Sequence, residues 1–532
     1  MNAKRLLAIL LAVCLVVPMA ACKKGEGSST GGGTTTTTVA DVTDGNGEVV
    51  GTTTGEGETT PTETNEQGEV VVPTDDKGQT VPTKSNNTPG GTTTRPGRTT
   101  TAGKVTTAPR PPVEGYVGQD ITIKKGDKRA DVGVDFGGKT FLYAFNQTDD
   151  QFFKTEWANV EKKHNCKIKL YFLSVDNRTE QIASATAAGT AFDMMIMSLD
   201  YYPSMITANL LQPLDDYVTT ADLWDTKHPE KGGLSKSIMK QLSWNNSIYT
   251  VSGPLLTSPY MVYYNKKMFN DFGLEDPLTL YKQGKWTWEK FLEMGREVTD
   301  TSKNFYFTNS VAGFIASPFY CTYDTDIAVL KNGVMKENLS DKKLYNALKM
   351  LQDMHYGTGT IVNSQKGDMG KMGYEAFARG TTATFLGTAG QWLLTTQHVE
   401  GKAAFDGKVS NIGMVPAPVQ NTAKKHGLWG MMGYCAGIGS TDPRFTVCFA
   451  LYDSTYNTRE IYIDSVPAEY KKLLTDLVAT DNFRAPVGSF KTSIGGLPQL
   501  EIANKACAGD DIAKVLSTYK RQVQRVLDAA TK

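Results

Sequence analysis

Residues 23–115 contain no phenylalanine, tyrosine or tryptophan; the 7 Trp, 23 Tyr and 21 Phe of the chain all lie at or after Tyr116. A stretch without aromatics cannot bury enough apolar area to offset chain entropy, so this one is expected to stay disordered. Charge of one sign is missing too. The 56 Lys and Arg balance 56 Asp and Glu, which excludes the basic surplus of a nucleic-acid-binding protein. No apolar run after Val17 approaches 18 residues, so no membrane-crossing helix is expected in the mature chain. Cysteine is scarce. Beyond Cys14 and Cys22 there are only Cys166, Cys321, Cys435, Cys448 and Cys507, an odd number with no C-x-x-C, which argues against a zinc ribbon or a dense disulfide framework; one bridge is possible, and the sequence does not choose the pair. H-E-x-x-H, G-x-S-x-G, Walker A and EF-hand patterns are absent, so the sequence carries no catalytic, cofactor or metal signature.

What is present begins with an export signal. Lys4 and Arg5 precede the apolar run Leu6–Val17, and small residues follow. Met19-Ala20-Ala21-Cys22 resembles a bacterial lipobox, so residues 1–21 are expected to be removed and Cys22 lipidated, palmitate included, at the outer face of a Gram-positive membrane. Residues 22–115 hold 26 threonines with many glycines and prolines, the composition of a spacer holding a domain away from the membrane. Its threonines could also be O-glycosylated.

After Gly138 the pattern changes. Thr140–Phe145 and Lys167–Leu173 have strand composition, and Phe192–Met197 is a nearly continuous apolar run. Between them, Phe153, Trp157, Val160 and His164 share one helical face within Asp150–His164, and Arg178–Ala188 is an alanine-rich helix closed by Gly189. This β-α-β-α-β order predicts an α/β doubly wound sheet. Ligands of such sheets bind outside the carboxyl ends of the strands. Asn146 and Gln147, Ser174–Asp176, and Asp200-Tyr201 stand at those ends. Amides and carboxylates bond hydroxyls, and rings cover sugar C–H faces; the competing reading is that these are ordinary turn residues.

Tyr260–Asn265 is a further strand with a helix after it, and Thr287 is placed to cap a helix whose buried face is Trp288, Phe291, Leu292 and Val298. Trp286 can pack on Phe291 as a hydrophobic staple. Ser340 is expected to cap Asp341–Tyr356, with His355 a helix-face residue rather than a ligand. Five segments then resemble one family, in order: Phe192–Val218 with its L-x-P-L-D run, Tyr263–Gly273 (YYNKKMFNDFG), Glu375–Trp392 (EAFARGTTATFLGTAGQW), Gly413–Pro418 and Gly433–Ser440. They are similar to the type-1 extracellular solute-binding proteins of ABC importers.

The resemblance runs from about Lys139 to Lys532. It implies a two-lobed periplasmic-binding-protein-like fold of type II, as in maltose-binding protein, closing on a ligand about a hinge. The implied division is 139–258 for the first part of lobe 1, 259–415 for the main part of lobe 2, and 416–532 for the hinge return and the remainder of both lobes. It also implies a monomer that delivers a small solute, a carbohydrate above all, to permease subunits. In sugar-binding members the tryptophan ending the G-x-W segment stacks on a sugar, which carries over to Trp392; Trp429 is a second position of that kind. The competing reading of Trp392 is a core residue capping the next helix. The motif's Lys-Ala-Ala is Thr381-Thr382-Ala383 here, which leaves the substrate subtype open. Two other readings remain: a surface sensor or adhesin without transport, and a surface glycoside hydrolase using Asp149/Asp150, Asp215/Asp216 or Asp324/Asp326. Those aspartates read better as caps, turns or solvated surface.

Overall fold

A computed structural model describes residues 134–530, except 146–149, 174–177, 199–200, 226, 228–231, 254–258, 311, 332–333, 364–373, 421–423, 429–431, 458–464, 488–490 and 493–494. The signal segment, Cys22 and the threonine-rich linker lie outside the described residues.

The strands, in chain order, are β1 (Thr140–Phe145), β2 (Lys167–Phe172), β3 (Met194–Ser198), β4 (Tyr260–Asn265), β5 (Tyr306–Ser310), β6 (Ala328–Lys331), β7 (Val334–Glu337) and β8 (Ile361–Asn363). They continue with β9 (Thr382–Thr388), β10 (Ile412–Pro416), β11 (His426–Gly427), β12 (Met432–Cys435), β13 (Phe483–Arg484), β14 (Lys491–Thr492) and β15 (Gly495–Gly496). A four-stranded sheet of order β12-β3-β1-β2 forms one lobe, and a five-stranded sheet of order β10-β4-β9-β5-β8 forms the other.

In the first lobe β1 runs parallel to β2 and β3, as the β-α-β-α-β pattern predicts. Phe141, Tyr143 and Phe145 alternate onto one face and meet Trp157 of helix Asp150–His164 and Phe445 and Phe449 of helix Arg444–Tyr452. Phe141 stacks on Phe445 with ring centroids 4.2 Å apart. Period-2 burial on the strand thus meets period-3.6 burial on the helices.

Neither sheet is wholly parallel. β12 is antiparallel to β3, and β4 is antiparallel to both β9 and β10. Chain path is the cause. Tyr260 opens β4 opposite Thr388, the last residue of β9, and Met432 opens β12 opposite Ser198, the last residue of β3. A strand arriving from the other lobe therefore enters at the carboxyl edge and must run backwards. β10, antiparallel to β4, leaves at that same edge. The carboxyl edges of both sheets thus face the crossings. Helix Lys236–Leu242 of the first lobe also bonds the second: Gln241 Nε2 donates to the Phe483 carbonyl at 2.7 Å, and its Oε1 accepts from the Ala485 N–H at 3.1 Å.

Tyr264 and Gly413 are register partners, and a Cβ on Gly413 would lie 2.1 Å from the Tyr264 ring. The ring therefore lies flat over the glycine, and its hydroxyl donates to Asp276 Oδ2 at 2.6 Å. All five cysteines after Cys22 are unbridged, and burial pushes the thiols of Cys435, Cys448 and Cys507 up to about 12.

Candidate functional site

β1, β2 and β3 are parallel, so their carboxyl ends lie at one edge of the first lobe's sheet. Asn146, Gln147 and Asp200, which the sequence places just past these ends, lie outside the described residues, as does Trp429. Tyr201 is described. It is half-buried, and the guanidinium carbon of Arg178 sits 5.0 Å from its ring centroid. Arg178 opens the helix that follows the β2 loop and is 2% exposed. Side chains at the starts of the two following helices are in contact as well. Thr179 Oγ1 lies 3.4 Å from Ser204 Oγ, and Ser204 Oγ donates to the Tyr201 carbonyl at 2.8 Å. Opposite, β14 and helix Ile512–Ala530 of the second lobe lie beside helix Tyr202–Thr207. Tyr201 therefore stands where the lobes meet.

In the second lobe the expectation for Trp392 is corrected. Its ring is 4% exposed rather than open at a strand end. It lies 5.2 Å from the Tyr470 ring and 6.4 Å from that of Tyr263. Tyr470 belongs to helix Ala468–Ala479, which closes over the indole. Nor is the preceding loop loosened by its glycines. Gln391 is fully buried and its side chain folds back, Oε1 accepting from the Thr388 N–H at 2.7 Å, as the second arm of a capping box. A Cβ on Gly387 would lie 2.2 Å from that Oε1, so glycine is required there for close approach. The G-x-W segment is a rigid, capped turn that drives its tryptophan into the core.

Sequence reasoning missed Asn309. It is the next-to-last residue of β5, 3% exposed, and its Oδ1 has no hydrogen-bond partner among the described residues. A buried acceptor without a donor costs about 1–3 kcal/mol. Its only advance signal is an amide near the carboxyl end of a parallel strand.

Of the aspartates read as caps, turns or solvated surface, Asp215 and Asp326 are buried. Asp215 accepts from the Ile248 N–H at 3.1 Å. Asp326 accepts from the N–H groups of Ile327 and Val487 at 2.7 and 2.8 Å and from Ser317 Oγ at 3.2 Å. Asp324 faces three cations, Lys343, Lys425 and Arg484, at 3.3–3.7 Å. These carboxylates are committed to holding loops, which leaves no general acid and base pair among them.

The model of the bacterial extracellular solute-binding protein family matches residues 144–437, more than half of the chain. The chain belongs to that family. It is a solute-binding protein, not an enzyme, with the two-lobed maltose-binding-protein-like architecture. The fold recurs in the extracellular solute-binding protein from Staphylococcus aureus solved with maltose: 16% identity, TM-score 0.54, covering 73% of this chain and 98% of that one. It recurs in the galacto-N-biose/lacto-N-biose I-binding protein of a Bifidobacterium longum ABC transporter, solved with lacto-N-biose: 14% identity, TM-score 0.53, covering 74% and 98%. The cyclic α-maltosyl-1,6-maltose-binding protein from Arthrobacter globiformis is similar too: 15% identity, TM-score 0.52, covering 74% and 98%. No curated protein matches the sequence.

Proposed function

We propose that this solute-binding protein captures a neutral sugar or oligosaccharide between its lobes and passes it to the permease of an ABC importer. Tyr201 at the meeting of the lobes is the observation that carries the reading. A partly open aromatic ring beside polar strand-end loops suits a ligand with C–H faces and hydroxyl edges. Asn146, Gln147 and Asp200 on the neighbouring loops would bond hydroxyls, and the Asn309 acceptor would take one from the second lobe. The sugars bound by the structural relatives support the same ligand class. The lobes would comprise residues 139–258 and 259–415, with 416–532 shared. Cys22 would carry the lipid, and residues 22–115 would tether a monomer to the cell surface.

The test is a thermal-shift panel of mono- and oligosaccharides on residues 116–532, followed by calorimetry and small-angle scattering. A saccharide at 100 times its Kd should add roughly 2.7 kcal/mol of stability and reduce the radius of gyration as the lobes close. A panel without a single shift would refute the carbohydrate reading. In cells, Cys22→Ser should release the protein into the medium; retention through a carbonate wash would sink the lipid anchor.

A further inference from the structure

We infer that Arg178 is a positioning residue that sets the Tyr201 ring as a ligand platform. This rests on the carbohydrate reading above. At 2% exposure Arg178 is withdrawn from water, and burying a guanidinium is costly unless its surroundings recover the loss. Among its contacts, the guanidinium presents a flat cation to a ring face, 5.0 Å from the Tyr201 centroid.

Its position in the fold makes that contact useful. Arg178 heads the helix after β2, whereas Tyr201 stands directly before helix Tyr202–Thr207 after β3, so the pair links the starts of two helices that follow neighbouring strands. A side-chain contact, Thr179 Oγ1 to Ser204 Oγ at 3.4 Å, joins the starts of the same two helices beside the ring. A tyrosine on a loop would otherwise lose rotamer freedom when it meets a ligand, at a cost of about 0.5–1.5 kcal/mol. Stacking on a residue anchored in a helix removes much of that cost before the ligand arrives.

The experiment is a double-mutant cycle on the full lobed protein, read by calorimetry with maltose, maltotetraose, lacto-N-biose and mannitol. Arg178→Met should weaken the saccharide that binds by about threefold to thirtyfold. Arg178→Lys should recover part of the loss, because an ammonium also attracts the ring face. Tyr201→Ala should weaken binding, and Arg178→Met added to it should cost less than a further twofold. Losses that multiply would overturn the inference, because Arg178 would then act without the ring. Unchanged affinity in Arg178→Met with a lowered melting temperature would also overturn it, leaving a structural role alone. Should Arg178→Met not fold, Arg178→Gln with Tyr201→Ala closes the same cycle. If the wild type binds none of the four probes or any panel saccharide, the carbohydrate reading fails and takes this inference with it.

Discussion

Trp392 and Gln391 are neighbours in sequence with separate local reasons for their positions. Gln391 bonds back to Thr388 and needs Gly387 bare of a side chain, and this turn delivers Trp392 between Tyr263 and Tyr470. Truncating a buried tryptophan removes its transfer free energy and leaves a cavity, at a cost of about 3–5 kcal/mol. Trp392→Ala should therefore lower stability by that amount in urea titrations of the ligand-free protein. A variant that keeps its denaturation midpoint but loses saccharide affinity would return the indole to the binding site.

At the scale of single elements, caps and staples decide where helices begin. Thr287 accepts from the Lys290 N–H at 3.1 Å, and Trp286 meets Phe291 edge-on at 5.9 Å, as the T-W-x-x-F spacing predicts. Near residue 340 the cap is shifted by one residue. Asp341, not Ser340, accepts from the Lys343 N–H at 2.9 Å, and it also takes hydrogen bonds from Thr325 and Asn338. A carboxylate outcompetes a hydroxyl here because it can serve several donors together. Thr287→Ala and Asp341→Ala should each cost about 1 kcal/mol or more, and Ser340→Ala much less, in thermal melts of otherwise identical proteins. Equal costs for Ser340→Ala and Asp341→Ala would contradict the assignment. The helix also ends early as an α-helix. It runs Lys342–Gln352 and continues through Asp353–Gly357 with π-type bonds, which turn Met354 into the core and leave His355 half-buried.

For the molecule as a whole, acid should be a sensitive variable. Burial pushes both His355 and His426 down to about 4, and holds His164 below its usual range with the same leading cause. These rings stay neutral when folded but take up a proton near pH 6.5 once unfolded. The stability they contribute is therefore complete above pH 6.5 and is lost as the pH falls from there towards 4. Melting temperatures measured from pH 7 to 4 should fall, and the decline should be shallower in a His355→Gln/His426→Gln variant. Parallel curves for the two proteins would remove these histidines from the account. The join between the lobes also belongs to this scale. Both lobes present the carboxyl edges of their sheets to the crossings, and one buried cluster runs from Phe192 and Tyr202 of the first lobe to Tyr260 and Trp392 of the second.

Much of the fold was legible locally. Thr140–Phe145 and Asp150–His164 run between the residues their period-2 and period-3.6 patterns mark, because such patterns record which face of one element meets the core. The five ordered segments were enough to indicate the family. The site was legible only in part. A tyrosine just past a strand can be seen in a sequence, and Tyr201 does lie between β3 and helix Tyr202–Thr207. What covers a side chain cannot be seen in this way. Trp392 is closed over by a helix that begins at Ala468, and Asp326 accepts from an N–H 161 residues further on. Arg178 gained its role from a ring on the next loop. Propensity, capping and periodicity act over a few residues, so the sequence by itself determined the elements and their order. Burial depends on which distant elements come together, so only the tertiary structure decided that the G-x-W tryptophan is core and that an unremarked arginine supports the wall of the site.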